Sequence, residues 1–444
     1  MDNSATTDSL HSDFWRAHRD LLFKASCMAL VVTAMSFAIR GGLIDTLGTK
    51  FGLSKTQMGV ISGTSMWGFG LSIAIGGWLC DIVGMGRLLI LAVFGHAIGI
   101  VTIVLASGSN AFTMLFLGTL SFGLANGFVE AACNPLIATL YPDQKIKRLN
   151  MFHVWFPGGI VIGGLAAYVV DNSGIGGADH NWQVQMLTMV IPLVIYAALF
   201  IGKKFPATER SASGVTMAEM FTSCLKPLYI ILLICMTMTA ATELVTENWI
   251  PNILTYTASM KGILILVLIN GLMAIGRTFA GNIVHKISPV ALLIGSSSFG
   301  IAGLFLLAKA DSPATAVVAA IIFAIGVCYF WPTMLGVTSE RFPRSGALGI
   351  GLMGAIGSFS VAIWTPLVGK VFDGGIAQAV AAGKTQAEAQ AIGGKAGLGV
   401  LLYLPIILVV VFICIFAYDK SRGGYKQVVL VQHQEEDNVA PAAS

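Results

Sequence analysis

The chain has 444 residues, 56% of them hydrophobic and only 11% charged. Soluble domains carry about 25% charged residues, so this composition excludes an ordinary water-facing globule. The net charge of +4 is too small to argue for nucleic acid as a partner.

Apolar runs of about 20 residues recur along the chain, the length a helix needs to cross the hydrocarbon of a bilayer. They lack the strict alternation of barrel strands. In lipid each backbone polar group must be satisfied within a helix or a closed barrel, so the runs predict helices. The polar opening, residues 1–21, has no signal-peptide pattern and reads as a cytoplasmic tail. The first helix, 22–47, carries Arg40 in its far half. The second, 55–80, runs into Gly77-Trp78-Leu79-Cys80-Asp81-Ile82-Val83-Gly84-Met85-Gly86-Arg87 before the third, 87–107. In that loop a Gly allows close packing, the Asp caps or pairs across a helix end, and Arg87 anchors the interface.

The fourth helix, 111–141, places Glu130 near mid-depth, with Asn134 one turn on along the same face. An ionisable side chain there costs about 2.5–3.5 kcal/mol on insertion scales, so it needs a reason. Apolar surroundings favour the neutral form of a carboxyl group, which suits a proton carrier. The structural alternative is a carboxylate bonded to a neighbouring helix. Gly123 and Gly127 occupy the preceding turns and leave little side-chain bulk above it. The fifth helix, 149–171, brings His153, Trp155 and a row of glycines at 158, 159, 163 and 164; the sixth, 183–202, ends the first set.

A polar stretch, 203–226, reads as a cytoplasmic linker. The seventh helix, 227–257, contains Glu243, Glu247, Asn248, Trp249 and Pro251. A proline inside a helix removes a backbone hydrogen bond, so a break is expected at Pro251. Asn248 and Trp249 would then meet a solute there, although Trp249 also reads as an interface anchor. The eighth helix, 261–285, offers Asn270 to a cavity. Its Gly276-Arg277 pair is expected to be structural, with Arg277 bonded to Glu340 or a nearer carboxylate. Helices at 289–308, 313–340, 346–372 and 397–418 complete the set, followed by a cytoplasmic tail, 419–444. Phe330, Trp331 and Trp364 in the tenth and eleventh either line a cavity or pack.

The result is an all-α polytopic membrane protein of twelve transmembrane helices in two pseudo-symmetric six-helix bundles, 22–202 and 227–418. Pro135 and Pro142 recur as Pro332 and Pro343, 197 and 201 residues further on, each pair followed by a glycine-rich helix. Parallel repeats of six helices place a solute site between the halves near the midplane. Helices one and seven open the two halves, so Arg40 and Glu243 are near-equivalent. They either pair to gate a cavity, or act apart, Arg40 on an anionic solute and Glu243 on a hydroxyl or proton. Arg40 can also snorkel to the interface. Lys and Arg divide 17 against 7 between the two sides, counted over predicted loops and helix ends, which puts both termini in the cytoplasm. The seven cysteines form no CxxC pair, so neither a disulfide framework nor a metal site is expected.

The loop Gly77–Arg87, with Gly77, Asp81, Gly84 and Arg87, resembles the signature of the major facilitator superfamily. Gly127-Phe-Val-Glu130-Ala-Ala-Cys-Asn134-Pro135, Arg148-Leu149-Asn150 and Gly276-Arg277-Thr278-Phe279 are similar to the fucose:proton symporter family, which includes glucose/galactose transporters. That resemblance implies sugar uptake driven by an ion gradient. It implies that Glu130 takes part in proton coupling and that His153 stands where a sugar-contacting Gln is found. An Asp used in the first helix of the fucose branch is absent; Gly41 stands there, beside Arg40.

The expectation is a secondary active transporter of the cell inner membrane, a proton-coupled symporter of a sugar or similar small polar solute. It needs no cofactor beyond a proton gradient and acts as a monomer in the lipid bilayer. A transporter of a small organic anion held by Arg40 is the second reading, and a non-transporting solute sensor the third. No nucleophile-and-base arrangement or phosphate loop supports an enzyme.

Overall fold

A computed structural model describes residues 18–257, 262–284 and 286–430. Expectations for the ends of both tails and for Lys261 lie outside these residues. Among the described residues, twelve helices are long and apolar enough to cross a membrane. They are α1 (Arg19–Ile44), α2 (Gln57–Val83), α3 (Met85–Val104), α4 (Gly108–Leu140), α5 (Pro142–Ser173), α6 (Gly177–Phe200), α7 (Pro227–Ile250), α8 (Ile265–Val284), α9 (Pro289–Lys309), α10 (Pro313–Arg341), α11 (Pro343–Ala381) and α12 (Gln386–Ser421). No strand occurs among the described residues.

Helix starts are encoded locally. Ser54 and Gln57 form a reciprocal capping box at the head of α2, as Thr385 and Glu388 do at α12. The faces turned away from the core carry exposed Phe94, Ile191, Phe299 and Val410, the apolar belt that lipid requires. Within the first half α2 and α3 pack on α4, and α1 on α5; in the second, α9 packs on α10 and α12, and α11 on α12. The halves meet chiefly where α2 lies along α11 and where α5 crosses α8 and α10.

The structure extends α11 to Ala381 and starts α12 at Gln386, where hydropathy alone predicts a loop. Small residues carry this stretch. A methyl group on Gly394 would lie 2.9 Å from the Ile253 side chain, and one on Gly375 would lie 2.9 Å from the Gly393 backbone. Close approach on glycines, rather than apolar bulk, lets α11 and α12 pack on each other at Gly375 and Gly393 and lets α12 pack on the helix Thr246–Thr257 at Gly394.

Five crossings are interrupted along their length, α6 at Thr188–Met189 and α12 at Leu402 among them. α5 divides at Val154 into helices Lys145–His153 and Trp155–Ser173, and α10 divides at Cys328–Tyr329. α7 contains a π turn, Ala241–Val245. The break expected at Pro251 is absent: the helix Thr246–Thr257 runs through it. Neighbouring helices make an internal proline tolerable in a membrane crossing, and the irregular turn lies upstream of it. The linker forms two short helices, Glu209–Ala212 and Met217–Cys224, which mark one end of the bundle as the linker end.

Candidate functional site

Pro157 and Pro332 each lack the N–H that a helix returns to the carbonyl four residues back. Those carbonyls belong to His153 and Cys328, at the breaks in α5 and α10. One side chain takes both. Arg277 Nη1 donates to His153 O at 2.9 Å, and Arg277 Nε to Cys328 O at 2.7 Å. Its Nη2 donates to Glu243 Oε1 at 2.8 Å, within the π turn of α7. Arg277 stands on α8 and is 1% exposed. Irregular backbone at membrane depth persists only where protein satisfies it, and a guanidinium offers five donors in a fixed fork. Arg277 thus joins the disturbed turns of three helices. Because α5 belongs to the first half, it also joins the halves. The ion pair expected for Arg277 falls on Glu243 and not on Glu340, and a pair between Arg40 and Glu243 is ruled out in this conformation.

His153 carries the connection into the first half. Its Nε2 donates to Asn134 Oδ1 at 3.1 Å, and Asn134 Nδ2 donates to Glu130 Oε2 at 2.5 Å. His153 Nε2 lies 3.9 Å from the same carboxylate oxygen. On the other side of Arg277, Asn270 Nδ2 donates to Glu247 Oε2 at 3.3 Å, while Glu243 Oε2 and Glu247 Oε1 are buried with no hydrogen-bond partner among the described residues. Gly123 and Gly127 do not leave open space above Glu130. α2 fills it, with Phe69 O 2.5 Å from where a Cβ on Gly127 would stand.

A cavity of about 820 Å³ opens at the end opposite the linker, lined by α1, α2, α7 and α11 with small contributions from α3 and α4. Arg40, Asn248 and Trp249 line it. Arg40 Nε donates to Ser36 O and Nη2 to Ser65 Oγ, both at 2.8 Å, and the guanidinium lies 5.7 Å from the Phe37 ring centroid and 5.3 Å from that of Phe122. Glu130, Asn134, His153, Glu243, Glu247, Asn270, Phe330 and Trp331 are buried outside its lining, and the half-buried Trp364 also lies outside it. Trp331 packs against Gly354 and Gly357. An apolar cluster of Phe69, Ile73, Ala355 and Phe359, between α2 and α11, lies beyond the cavity floor.

The linker end is shut. Lys145 of α5 pairs with Glu209 of the linker at 2.6 Å and also donates to Ser339 O of α10. A Cβ on Gly77 would lie 2.8 Å from Ala347 O and 3.2 Å from Gly351 Cα, so α2 and α11 touch there through backbone.

A family profile described as Major Facilitator Superfamily matches residues 26–365, more than half of the chain. The chain belongs to the Major Facilitator Superfamily. Members of the superfamily are membrane transporters that bind a small solute within the bilayer, not enzymes. The cis,cis-muconate transport protein of Acinetobacter baylyi is 24% identical over 193 residues, 42% of this chain and 43% of the relative. The probable anion transporter 6, chloroplastic, of Arabidopsis thaliana is 27% identical over 145 residues, 33% of this chain and 26% of the relative. The chain therefore matches less than half the length of either of these curated relatives. Among solved structures, the superfamily transporter FucP in the outward conformation aligns with TM-score 0.68 and 17% identity, over 88% of this chain and 98% of that one. The xylose transporter XylE from E. coli, partially occluded and inward open, aligns with TM-score 0.66 and 14% identity, over 90% and 98%. At these identities the likeness is one of fold.

The superfamily loop after α2 has a definite partner. Asp81 accepts from Arg210 Nε at 2.9 Å and from the Thr208 hydroxyl, so α2 is tied to the linker. Sequence reasoning anticipated a pair for Asp81 but not Arg210. It also passed over His96, whose Nε2 donates to Asn126 Oδ1 and whose Nδ1 accepts from Tyr196, both at 2.8 Å. Asn126 in turn donates to Ser36 Oγ at 3.0 Å, in the turn that holds Arg40. A His and an Asn inside otherwise apolar runs were the available signals.

Proposed function

We propose that the chain is a secondary active transporter working by alternating access, in which residues 22–202 and 227–418 rock about a central site, joined by the linker 203–226. The observation that carries this reading is the pairing of a cavity open at one end with a polar chain, Glu130–Asn134–His153–Arg277–Glu243, that links the halves beyond the cavity floor. Rocking exposes opposite ends in turn, and the cross-half bond from Arg277 to His153 O must be remade in each cycle. The distribution of Lys and Arg supports an inner-membrane protein with both termini in the cytoplasm, so that the cavity faces outward.

The solute is a small polar molecule of the sugar class, with Glu130 as the proton-carrying group. The local sequence likeness around Glu130 and Arg277 to fucose:proton symporters supports that class. A small organic anion is the second reading. It is favoured by Arg40 on the cavity wall and by the two relatives, one of which carries cis,cis-muconate.

Reconstitution in liposomes tests the reading. With an inward proton gradient the protein is expected to accumulate a solute from a panel of sugars and carboxylates. Glu130→Gln keeps an acceptor for Asn134 but cannot release a proton, so it should exchange solute across the membrane without accumulating it. If Glu130→Gln accumulates solute as well as the unaltered protein, the proton assignment is wrong.

A further inference from the structure

Arg40 is half-buried in a membrane crossing, as Lys147, Arg148 and Lys395 are, and it differs from the ion-paired cations in one respect. Arg277, Arg210, Arg341 and Lys145 each have a carboxylate within 4.0 Å: Glu243, Asp81, Asp419 and Glu209. Arg40 has none among the described side chains. Its partners are a backbone carbonyl, a serine hydroxyl and two aromatic faces. A cation in a membrane crossing is expensive without a counter-charge, and Arg40 stands on the wall of the cavity that opens opposite the linker.

Its setting also fixes its direction. Nε and Nη2 are held by Ser36 O and Ser65 Oγ, and Ser36 is in turn held by the chain Asn126–His96–Tyr196. Nη1 makes no bond within the protein among the described residues. A guanidinium immobilised in this way loses little freedom when it accepts a planar carboxylate.

The rest of the polar wall mixes hydroxyls and an amide with one charged residue of each sign, the exposed Lys370 and Asp373 on α11. Ser62 on α2 and Asn248 on α7 are exposed and carry no side-chain hydrogen bond among the described residues, and Thr365 on α11 lines the same cavity as Arg40. Amides and hydroxyls of this kind read hydroxyl groups, not charge. Arg40 is thus the first half's cation on the wall, and α7 and α11 of the second half bring Asn248 and Thr365 together with Lys370 and Asp373.

We propose that the solute is a hydroxylated carboxylic acid of the sugar-acid type, with its carboxylate on Arg40 and its hydroxyls on Asn248 and Thr365. The assignment rests on the transporter reading above and narrows its solute class. Such a molecule engages one half through its charge and the other through its hydroxyls, so binding draws α1 and α2 toward α7 and α11. A neutral sugar leaves the cation uncompensated. A plain fatty acid leaves the amide side unused.

The test is solute exchange by the full-length protein in liposomes, using labelled glucuronate, galacturonate and gluconate, the neutral sugars glucose, galactose and fucose, and hexanoate. At least one sugar acid is expected to exchange. Neutral sugars and hexanoate should compete at least tenfold more weakly. Arg40→Gln should lose at least tenfold in apparent affinity for the acid, and Arg40→Lys, which keeps the charge, should recover part of it. Asn248→Ala should weaken the sugar acid and leave the weak hexanoate competition unchanged. Exchange of neutral sugars with no competition from the acids overturns the inference while leaving the transporter reading intact. Hexanoate competing as strongly as the acids overturns the role given to the hydroxyls. No exchange of any of these solutes by protein that remains monodisperse overturns the inference and the sugar-class reading together.

Discussion

Arg277 and Pro157 lie on different helices in different halves, yet they act on one atom. Pro157 leaves the His153 carbonyl without its helical donor, and Arg277 supplies one at 2.9 Å from across the interface between the halves. The proline creates the acceptor and the arginine makes it a cross-half contact. Restoring the N–H with Pro157→Ala lets α5 satisfy its own carbonyl. A hydrogen bond from a charged donor contributes about 1.5–3 kcal/mol, so the conformation that contains the cross-half bond should lose roughly tenfold or more in population. Maleimide labelling of a cysteine introduced at Ser339, buried between the halves at the linker end, should speed up accordingly. Unchanged labelling with an intact fold denies the bond its role in holding the halves.

Glu243 shares that arginine, and its removal tells the charge apart from the carbonyls. Arg277→Met leaves a buried carboxylate unpaired and two carbonyls open. Breaking a buried pair from one side costs about 3–5 kcal/mol. The double variant Arg277→Met with Glu243→Gln removes the stranded charge and should recover a substantial part of that loss. Thermal unfolding in detergent compares the three proteins. A double variant no more stable than Arg277→Met alone assigns the cost to the carbonyls of His153 and Cys328.

How much of this was legible beforehand depends on range. The twelve crossings were, because continuous apolar runs of fixed length leave few alternatives in lipid. The buried charges were also visible one by one, since an ionisable residue in such a run is conspicuous. Their partners were not. Arg40 and Glu243 look equivalent by position along α1 and α7, but pairing depends on where α8 places Arg277, and pseudo-symmetry does not fix that. The signal for the Arg277 site was present in another form: Pro157 and Pro332 free carbonyls four residues earlier, and a freed carbonyl at membrane depth requires a donor. Pro251 misled for the same reason, because a proline states that a bond is missing and not how the neighbours compensate. Gly123 and Gly127 were read as leaving little side-chain bulk above Glu130, but small residues in a crossing equally admit a helix, and α2 occupies the space.

Gly77 should act as a conformational residue rather than a merely structural one. With the linker end shut, its Cβ position is occupied by the backbone of α11, at Ala347 and Gly351, and opening that end by rocking would clear it. Overpacking typically costs about 1–3 kcal/mol. In Gly77→Val that cost falls on the shut state, which shifts the population toward the state open at the linker end by roughly five- to a hundredfold. The Ser339 cysteine should label faster, and net transport should slow because one state is over-populated. Slower labelling, or none, means that α2 and α11 stay apposed through the cycle.

The chain after α12 returns across the linker end and touches both halves. Tyr425 donates to Glu340 Oε2 at 2.7 Å, and the Val428 N–H donates to Glu340 O at 2.8 Å, both on α10. Gln427 Nε2 donates to Pro142 O at 2.9 Å, at the head of α5. Arg341 lies over the Tyr425 ring and pairs with Asp419, which fixes the segment where it leaves the membrane. Burial, and then the adjacent Glu340, push the Tyr425 phenol well above its ordinary value, so it remains a donor at physiological pH. Opening the linker end must separate α5 from α10 and therefore release Gln427 or Tyr425. A neutral hydrogen bond contributes about 0.5–1.5 kcal/mol net, so a chain ending at Gly424 should open that end several-fold to about tenfold more often, with little change in unfolding temperature. Gln427→Ala alone should give the smaller part of the effect, and Tyr425→Phe together with Gln427→Ala the larger. Cysteine labelling at Ser339 reads both. An unchanged rate in the truncated protein means that the segment rides with the second half and does not hold the first.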